Sequence, residues 1–206
     1  EVMVASDPYL PFFRSLRNAM VRHRADEVLT EGFDPSSPFQ DYYFVAERIQ
    51  IMDVIQSSDL NIPVNPEEWD WLLPACQSRA SHECPDLVPE LSAFVGSTYR
   101  EVIDRGLEII ARVRHCQDCE WVGFKEVWTI EFFASLARAY SDARFVVIMR
   151  DPRAVIASME VAARQDPSQR AHNLSYARHW RKYVAFAQHF QNHRLFTNRL
   201  FVLTFE

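Results

Sequence analysis

The apolar positions of this chain fall into two patterns, short continuous runs and longer stretches with helical spacing. Short, mainly apolar runs at residues 1–5, 121–124, 145–149 and 199–206 predict strands. The run at 145–149 is unbroken, which is typical of a strand buried on both faces. Apolar residues recurring every three or four positions predict helices between and around these strands. The predicted helices cover residues 10–24, 43–57, 92–115, 129–140, 152–165 and 174–192.

Strands and helices alternate over residues 121–165, which predicts an α/β fold with a central parallel sheet and right-handed crossovers. We expect one domain over residues 1–206. Residues 59–91 hold five of the eleven prolines, so we expect an irregular insertion with short helices there, a candidate substrate cap. The first and last strands lack flanking turn signals, and we therefore expect a domain that is incomplete at both termini.

Composition and charge exclude several classes of protein. With 48% hydrophobic and 24% charged residues the chain is globular, and its net charge of −6 argues against general binding of nucleic acid. No apolar stretch approaches the roughly 20 residues that span a bilayer. Residues 164–199 carry seven Lys or Arg against one acid, which predicts either a solvated helix face or a positive field toward an anionic ligand.

Four cysteines leave two interpretations open. Cys116 and Cys119 form a C-x-x-C pair beside His115, a spacing that zinc sites use. Seven residues separate Cys76 from Cys84, which is poor spacing for the other half of such a site. Structural thiols, or one or two disulfides, are the alternative, and we expect no metal.

Residues 144–159, RFVVIMRDPRAVIASM, predict an anion site at a strand-to-helix junction. Arg150 ends the strand, Asp151 suits a helix N-cap, and Pro152 suits the first turn. Ligands of open α/β sheets bind at the carboxyl ends of strands, and helix N-termini favour anions. Ser158 follows two turns into the helix. The alternative is that Arg150 pairs with a neighbour such as Asp151 and that Ser158 is plain helix surface.

This segment resembles the 3′-phosphate-binding segment of sulfotransferases that use 3′-phosphoadenosine 5′-phosphosulfate (PAPS), and its RDPRAV form resembles the carbohydrate branch and its bacterial relatives. Further similar segments are VGFKEVW at 122–128, the helix carrying Trp180, FVLTFE at 201–206 and EVMVASDPYLPFF at 1–13. The family's P-R/K-S-G-T-T loop, which holds the 5′-phosphosulfate, is absent from these 206 residues. We expect it to precede them, and we expect these residues alone to be inactive.

The resemblance implies a P-loop-type three-layer α/β/α fold and a role for particular residues. Arg150 and Ser158 would bind the 3′-phosphate, with Arg153 as a weaker cofactor contact. Asp7 would be the base that deprotonates the acceptor hydroxyl, or would only form a turn or helix cap before Pro8. Lys125 would face the same crevice, or would pair with Glu126 or Asp151. Tyr9, Phe12 and Phe13 would either line an acceptor cleft or belong to the core. The implied donor is PAPS, and the implied acceptor is a hydroxyl on a carbohydrate.

Two other functions stay open from the sequence. A P-loop kinase or other phosphotransferase could use the same kind of sheet, although no G-x-x-x-x-G-K-[ST] motif occurs in this chain. A binding scaffold that lacks catalysis is the other alternative. Compartment and oligomeric state are not predicted: relatives of this kind are cytoplasmic in bacteria and Golgi-lumenal in eukaryotes.

Overall fold

The computed structural model describes residues 2–24, 49–116, 118–127, 129–165 and 173–205. Four strands occur there: β1 (Val2–Ser6), β2 (Trp121–Lys125), β3 (Phe145–Arg150) and β4 (Leu200–Phe205). The α-helices are α1 (Leu10–Arg24), α2 (Ile49–Ser57), α3 (Trp69–Glu83), α4 (Tyr99–Val113), α5 (Phe133–Ala139), α6 (Pro152–Gln165) and α7 (Asn173–Gln191). Short 3₁₀ segments occupy Pro66–Glu68, Pro85–Ala93, Thr129–Phe132 and Arg194–Phe196. The first part of the helix predicted from residue 43 lies outside the described residues.

Helix α4 begins seven residues later than predicted, because a capping box fixes its start. The side chain of Thr98 accepts a hydrogen bond from the backbone N–H of Glu101. In return the Glu101 carboxylate accepts from the backbone and side chain of Ser97, at 2.8 and 2.6 Å. Such reciprocal bonds satisfy N–H groups that a helix start otherwise leaves unpaired.

The strands form two parallel pairs. β1 pairs with β2 from Val2 opposite Trp121 to Ser6 opposite Lys125, and β3 pairs with β4 from Phe145 opposite Leu200. The Arg144 guanidinium lies 5.1 Å from the Trp121 ring centroid, so the starting ends of β2 and β3 are neighbours. Among the described residues no hydrogen-bonded ladder joins the two pairs.

One face of the strands packs on the core, and the other is open. In β3, Phe145 and Val147 are buried, whereas Val146 and Ile148 are 53% and 68% exposed. Other exposed apolar side chains on β1 and β4 are Val2, Val4, Phe201, Leu203 and Phe205. The prediction that the β3 segment is buried on both faces is therefore wrong for this structure. The mixed α/β class with parallel strands is present, and the three-layer arrangement remains a prediction.

An aromatic cluster fills the core between β1, α1 and α4. Tyr9, Phe12 and Phe13 are almost completely buried, and Tyr9 stacks on Phe94 with ring centroids 4.3 Å apart. The Tyr9 hydroxyl donates to the carbonyl of Gly106 at 2.9 Å. Of the two roles that the sequence allowed for these aromatic residues, the structure shows the core role and not the acceptor cleft.

Residues 59–91 are more regular than the sequence indicated. They contain the 15-residue helix α3, which continues through Pro74, and the 3₁₀ segment Pro85–Ala93. Leu72, Cys76 and Leu87 are fully buried, so this region contributes to the core. A role as substrate cap remains a prediction.

The cysteines divide into one bonded pair and two thiols. Cys116 and Cys119 form a disulfide just after α4, and Cys76 and Cys84 are free and buried. Within the described ranges no group of three or more metal-binding side chains occurs. In the same part of the chain, no helix is long and apolar enough to cross a membrane.

Candidate functional site

Asp7 and Lys125 meet at the carboxyl ends of β1 and β2. The two residues are 118 positions apart, yet Lys125 Nζ forms an ion pair with Asp7 Oδ2. The backbone N–H of Asp7 extends the ladder by donating to the carbonyl of Lys125 at 2.6 Å. Asp7 has a φ of 51°, in the left-handed region that few residues other than glycine adopt. The Asp7 side chain is 8% exposed and that of Lys125 is 54% exposed, so the cation lies on the solvent side.

Glu126 adds a second carboxyl group behind Asp7. Its Oε1 accepts from the backbone N–H of Tyr9, and the residue is only 5% exposed. Burial raises the pKa of Glu126 to about 8, and the negative charge of Asp7 adds to this rise. A pKa in this range favours the protonated form of Glu126 at neutral pH. Asp7 Oδ1 and Glu126 Oε2 are buried without a hydrogen-bond partner among the described residues.

Arg79 supports this corner from α3. Its Nε donates to the carbonyl of Asp7 at 3.4 Å, and its charge opposes the rise in the pKa of Glu126. Cys84 lies nearby, where its Sγ contacts the carbonyl of Ser6 at 3.2 Å. Residues 59–91 thus contact the backbone at Ser6 and Asp7 and help to position the Asp7 side chain.

Helix α7 contacts the end of β3 and lies near the carboxyl groups at the ends of β1 and β2. Trp180 donates its indole N–H to the carbonyl of Arg150 at 2.8 Å, at the end of β3. Tyr183 follows Trp180 by three residues and therefore lies on the same face of the helix. Burial raises the pKa of Tyr183, and the charges of Glu131, Asp7 and Glu126 raise it further. The carboxyl ends of β1, β2 and β3 therefore lie around one face of α7.

A buried ion pair fixes α7 in this position. Lys182 Nζ lies 2.6 Å from Glu131 Oε1, and both side chains are almost fully buried. Arg17 of α1 lies 3.9 Å from the other oxygen of Glu131. Charges buried so completely are tolerated only when they are paired.

Asp151 pairs with Arg153 and not with Arg150. Its Oδ1 accepts from the Arg153 backbone N–H at 2.8 Å, and the Arg153 guanidinium lies 2.6 Å from Oδ2. The pKa of Asp151 is lowered to about 2, chiefly by the hydrogen bond from the Arg153 side chain. The predicted helix cap is thus present. The Arg153 side chain is 89% exposed, which places it on the surface beside the junction.

Arg150 keeps its guanidinium available at the end of β3. Its charged group lies 5.7 Å from the ring centroid of Phe205, and it has no carboxylate partner in the part of the chain that the structure describes. Ser158 is exposed on α6, eight residues further along. The structure records no contact between Ser158 and Arg150, so their convergence on one phosphate remains a prediction.

Sequence reasoning found the strand-end residues and missed part of their surroundings. The raised pKa of Glu126 and the contact from Arg79 depend on burial and on residues distant in the sequence. An acidic residue directly after Lys125 was visible, but nothing in the local pattern indicated that it is buried.

The comparison with known families covers most of this site. A family model described as "Sulfotransferase family" matches residues 45–206, more than three quarters of the chain. The matched range contains Lys125, Arg150, Arg153 and Ser158, whereas Asp7 precedes it. No curated protein and no solved structure matches the chain. A match over this much of the chain shows its family: the protein belongs to the sulfotransferase family.

Proposed function

We propose that this protein transfers a sulfuryl group from PAPS to an acceptor hydroxyl on a carbohydrate. The observation that carries the proposal is the guanidinium of Arg150, which stands at a strand end without a carboxylate partner among the described residues because Asp151 is paired with Arg153. A guanidinium can bind a phosphate dianion through two parallel charge-assisted hydrogen bonds. The 3′-phosphate of PAPS is such a group, and ordinary adenine nucleotides lack it.

In the proposed reaction the acceptor oxygen forms a bond to sulfur while the bond from sulfur to the 5′-phosphate oxygen breaks. The hydroxyl proton passes to Asp7, and 3′,5′-ADP leaves with the electron pair of the broken bond. Lys125 would lie beside the transferred group, where its cation stabilises the negative charge of the sulfuryl oxygens. Its ion pair with Asp7 supports this placement, since both groups occupy the same strand ends.

The residues that hold the 5′-phosphosulfate are proposed to lie on a segment outside these 206 residues. The strand pairing supports this, because β2 and β3 each pair with one other described strand only. A parallel strand between them would join the two pairs into one sheet and would end beside Asp7 and Arg150. We therefore expect sulfation by the full-length protein and none by residues 1–206 alone.

The deciding experiment compares nucleotide binding by two arginine variants of the full-length protein. Arg150→Ala should raise the dissociation constant for 3′,5′-ADP at least tenfold, which is about 1.4 kcal/mol, and should leave binding of 5′-AMP unchanged. Arg105→Ala is the matched control and should change neither, because Arg105 is paired with Glu108 on the exposed face of α4. Equal binding of both nucleotides by the unmodified protein would support the scaffold or phosphotransferase alternatives and overturn the proposal.

A sulfation assay then tests the acceptor. Full-length protein with radiolabelled PAPS should label carbohydrate acceptors in a panel that also holds tyrosyl peptides, lipids and small phenols. If only another acceptor class were labelled, the carbohydrate assignment would be refuted, while sulfuryl transfer from PAPS would still be supported.

A further inference from the structure

Asp7 and Glu126 occupy neighbouring positions just beyond the last registered pair of β1 and β2. Ser6 lies opposite Lys125, and the bond from Asp7 N–H to the Lys125 carbonyl continues the parallel ladder by one step. The next two residues, Asp7 and Glu126, are 6% and 5% exposed. Each has one oxygen, Oδ1 and Oε2 respectively, that is buried and has no partner among the described residues.

Two carboxyl groups so placed do not both ionise at low cost, because each charge opposes the other. The surroundings decide which one keeps the proton. Asp7 has the Lys125 ammonium on Oδ2, whereas Glu126 has only the neutral N–H of Tyr9 on Oε1. The charge therefore belongs on Asp7 and the proton on Glu126, in agreement with the direction in which burial shifts the Glu126 pKa.

Other groups around Glu126 do not change this assignment. Arg79 on α3 and Lys125 on β2 oppose the rise in its pKa, but burial outweighs both. Tyr9, Cys76 on α3 and Tyr183 on α7 also sense its charge. The pKa of each is raised chiefly by burial, so all three are neutral near pH 7.

We propose that Glu126 is a positioning residue that stays protonated and donates a hydrogen bond from Oε2 to Asp7 Oδ1. This rests on the proposed role of Asp7 as the base. The bond fixes the Asp7 carboxylate from its buried side and leaves Oδ2, beside Lys125, for the acceptor proton. Ionisation of Glu126 removes the donor and places a second negative charge behind Asp7, so the arrangement is lost as the pH rises through about 8.

The first test needs no activity. Difference infrared spectra of full-length protein labelled with ¹³C-carboxyl glutamate should show the C=O stretch of a protonated acid at pH 7. The band should vanish in Glu126→Gln and should persist in Glu108→Gln, a matched change at an exposed salt-bridged position. Absence of the band in the unmodified protein would overturn the proposal, whether or not the variants fold.

Stability against pH gives a second independent measure. The Glu126 carboxyl has a pKa near 8 in the folded protein and an ordinary value of 4.5, so folding takes up a proton between these values. The free energy of unfolding should therefore decrease as the pH rises from about 4.5 to about 8. Glu126→Gln, which cannot ionise, should remove that decrease, and an unchanged pH dependence would contradict a buried acid here.

Sulfation assays of Glu126 variants distinguish a positioning role of this residue from a packing role. Glu126→Gln keeps a donor and should retain sulfation at pH 7 within about threefold, with less loss above pH 8 than the unmodified protein shows. Glu126→Leu has similar bulk without a donor and should lose about tenfold in kcat. Equal losses of kcat in both variants would mean that Glu126 contributes only packing, and would overturn the positioning role. If the unmodified protein transfers no sulfate, the proposed function fails, while the infrared band still decides the proton.

Discussion

The indole N–H of Trp180 donates a hydrogen bond to the carbonyl of Arg150 across 30 residues of sequence. This bond links the middle of α7 to the last residue of β3, Arg150, whose side chain is predicted to bind the 3′-phosphate. The orientation of Arg150 therefore depends on a helix that its own local sequence does not contain.

Trp180→Phe should weaken binding of 3′,5′-ADP by roughly two- to tenfold, because a single net hydrogen bond contributes about 1 kcal/mol. Isothermal titration of the full-length protein measures this. Trp71→Phe is the control, since Trp71 is half exposed on α3, and it should leave affinity unchanged. Unchanged affinity in Trp180→Phe would mean that α7 does not position Arg150.

Asp7→Asn should lower kcat for sulfation at least roughly 100-fold, because the amide cannot take up the acceptor proton. Affinity for 3′,5′-ADP should stay the same, since Asp7 is assigned to the acceptor and not to the 3′-phosphate. Asp53→Asn, an exposed change on α2, provides the control. A variant that retains most of its kcat would remove Asp7 from the chemistry.

Lys182→Met should lower the free energy of unfolding by about 3–5 kcal/mol, because the buried Glu131 carboxylate loses its nearest cation and keeps only Arg17 at 3.9 Å. Denaturant unfolding of the full-length protein gives the value. The double variant Lys182→Met with Glu131→Gln should recover part of the loss, since the buried charge is then gone. Loss of less than 1 kcal/mol in the single variant would argue against a buried ion pair.

Replacing both Cys116 and Cys119 with serine should cost about 2 kcal/mol at most, because the disulfide closes a loop of only four residues. Nucleotide binding should be unaffected, since the loop lies at the starting end of β2. The unmodified protein in a reducing agent should show the same change in unfolding free energy. A weaker affinity for 3′,5′-ADP after reduction would contradict this separation.

How far the sequence determines the fold is visible in β3 and α6. The apolar run and the Asp-Pro after it predicted both elements closely, because strand period and helix capping are local properties. The same run did not predict that Val146 and Ile148 are exposed. Exposure depends on what covers the sheet, which a local pattern cannot contain.

The candidate site divides in the same way. Asp7 and Lys125 each follow a predicted strand, so their meeting at one sheet edge could be expected from parallel pairing. The raised pKa of Glu126 could not, because it depends on burial of the side chain in the folded protein. Helix α4 starts at Tyr99, seven residues after the predicted start, because the capping bonds between Ser97 and Glu101 outweigh the apolar spacing that precedes them.

The left-handed backbone of Asp7 also has a consequence for how this protein can be engineered. Such a conformation costs about 1 kcal/mol or more in a residue with a Cβ, and glycine relieves that cost. Asp7→Gly should therefore be tolerated or even stabilising, although it removes the proposed base. Selection for thermal stability alone would favour loss of this carboxylate, so heat resistance and activity are expected to conflict at this single position.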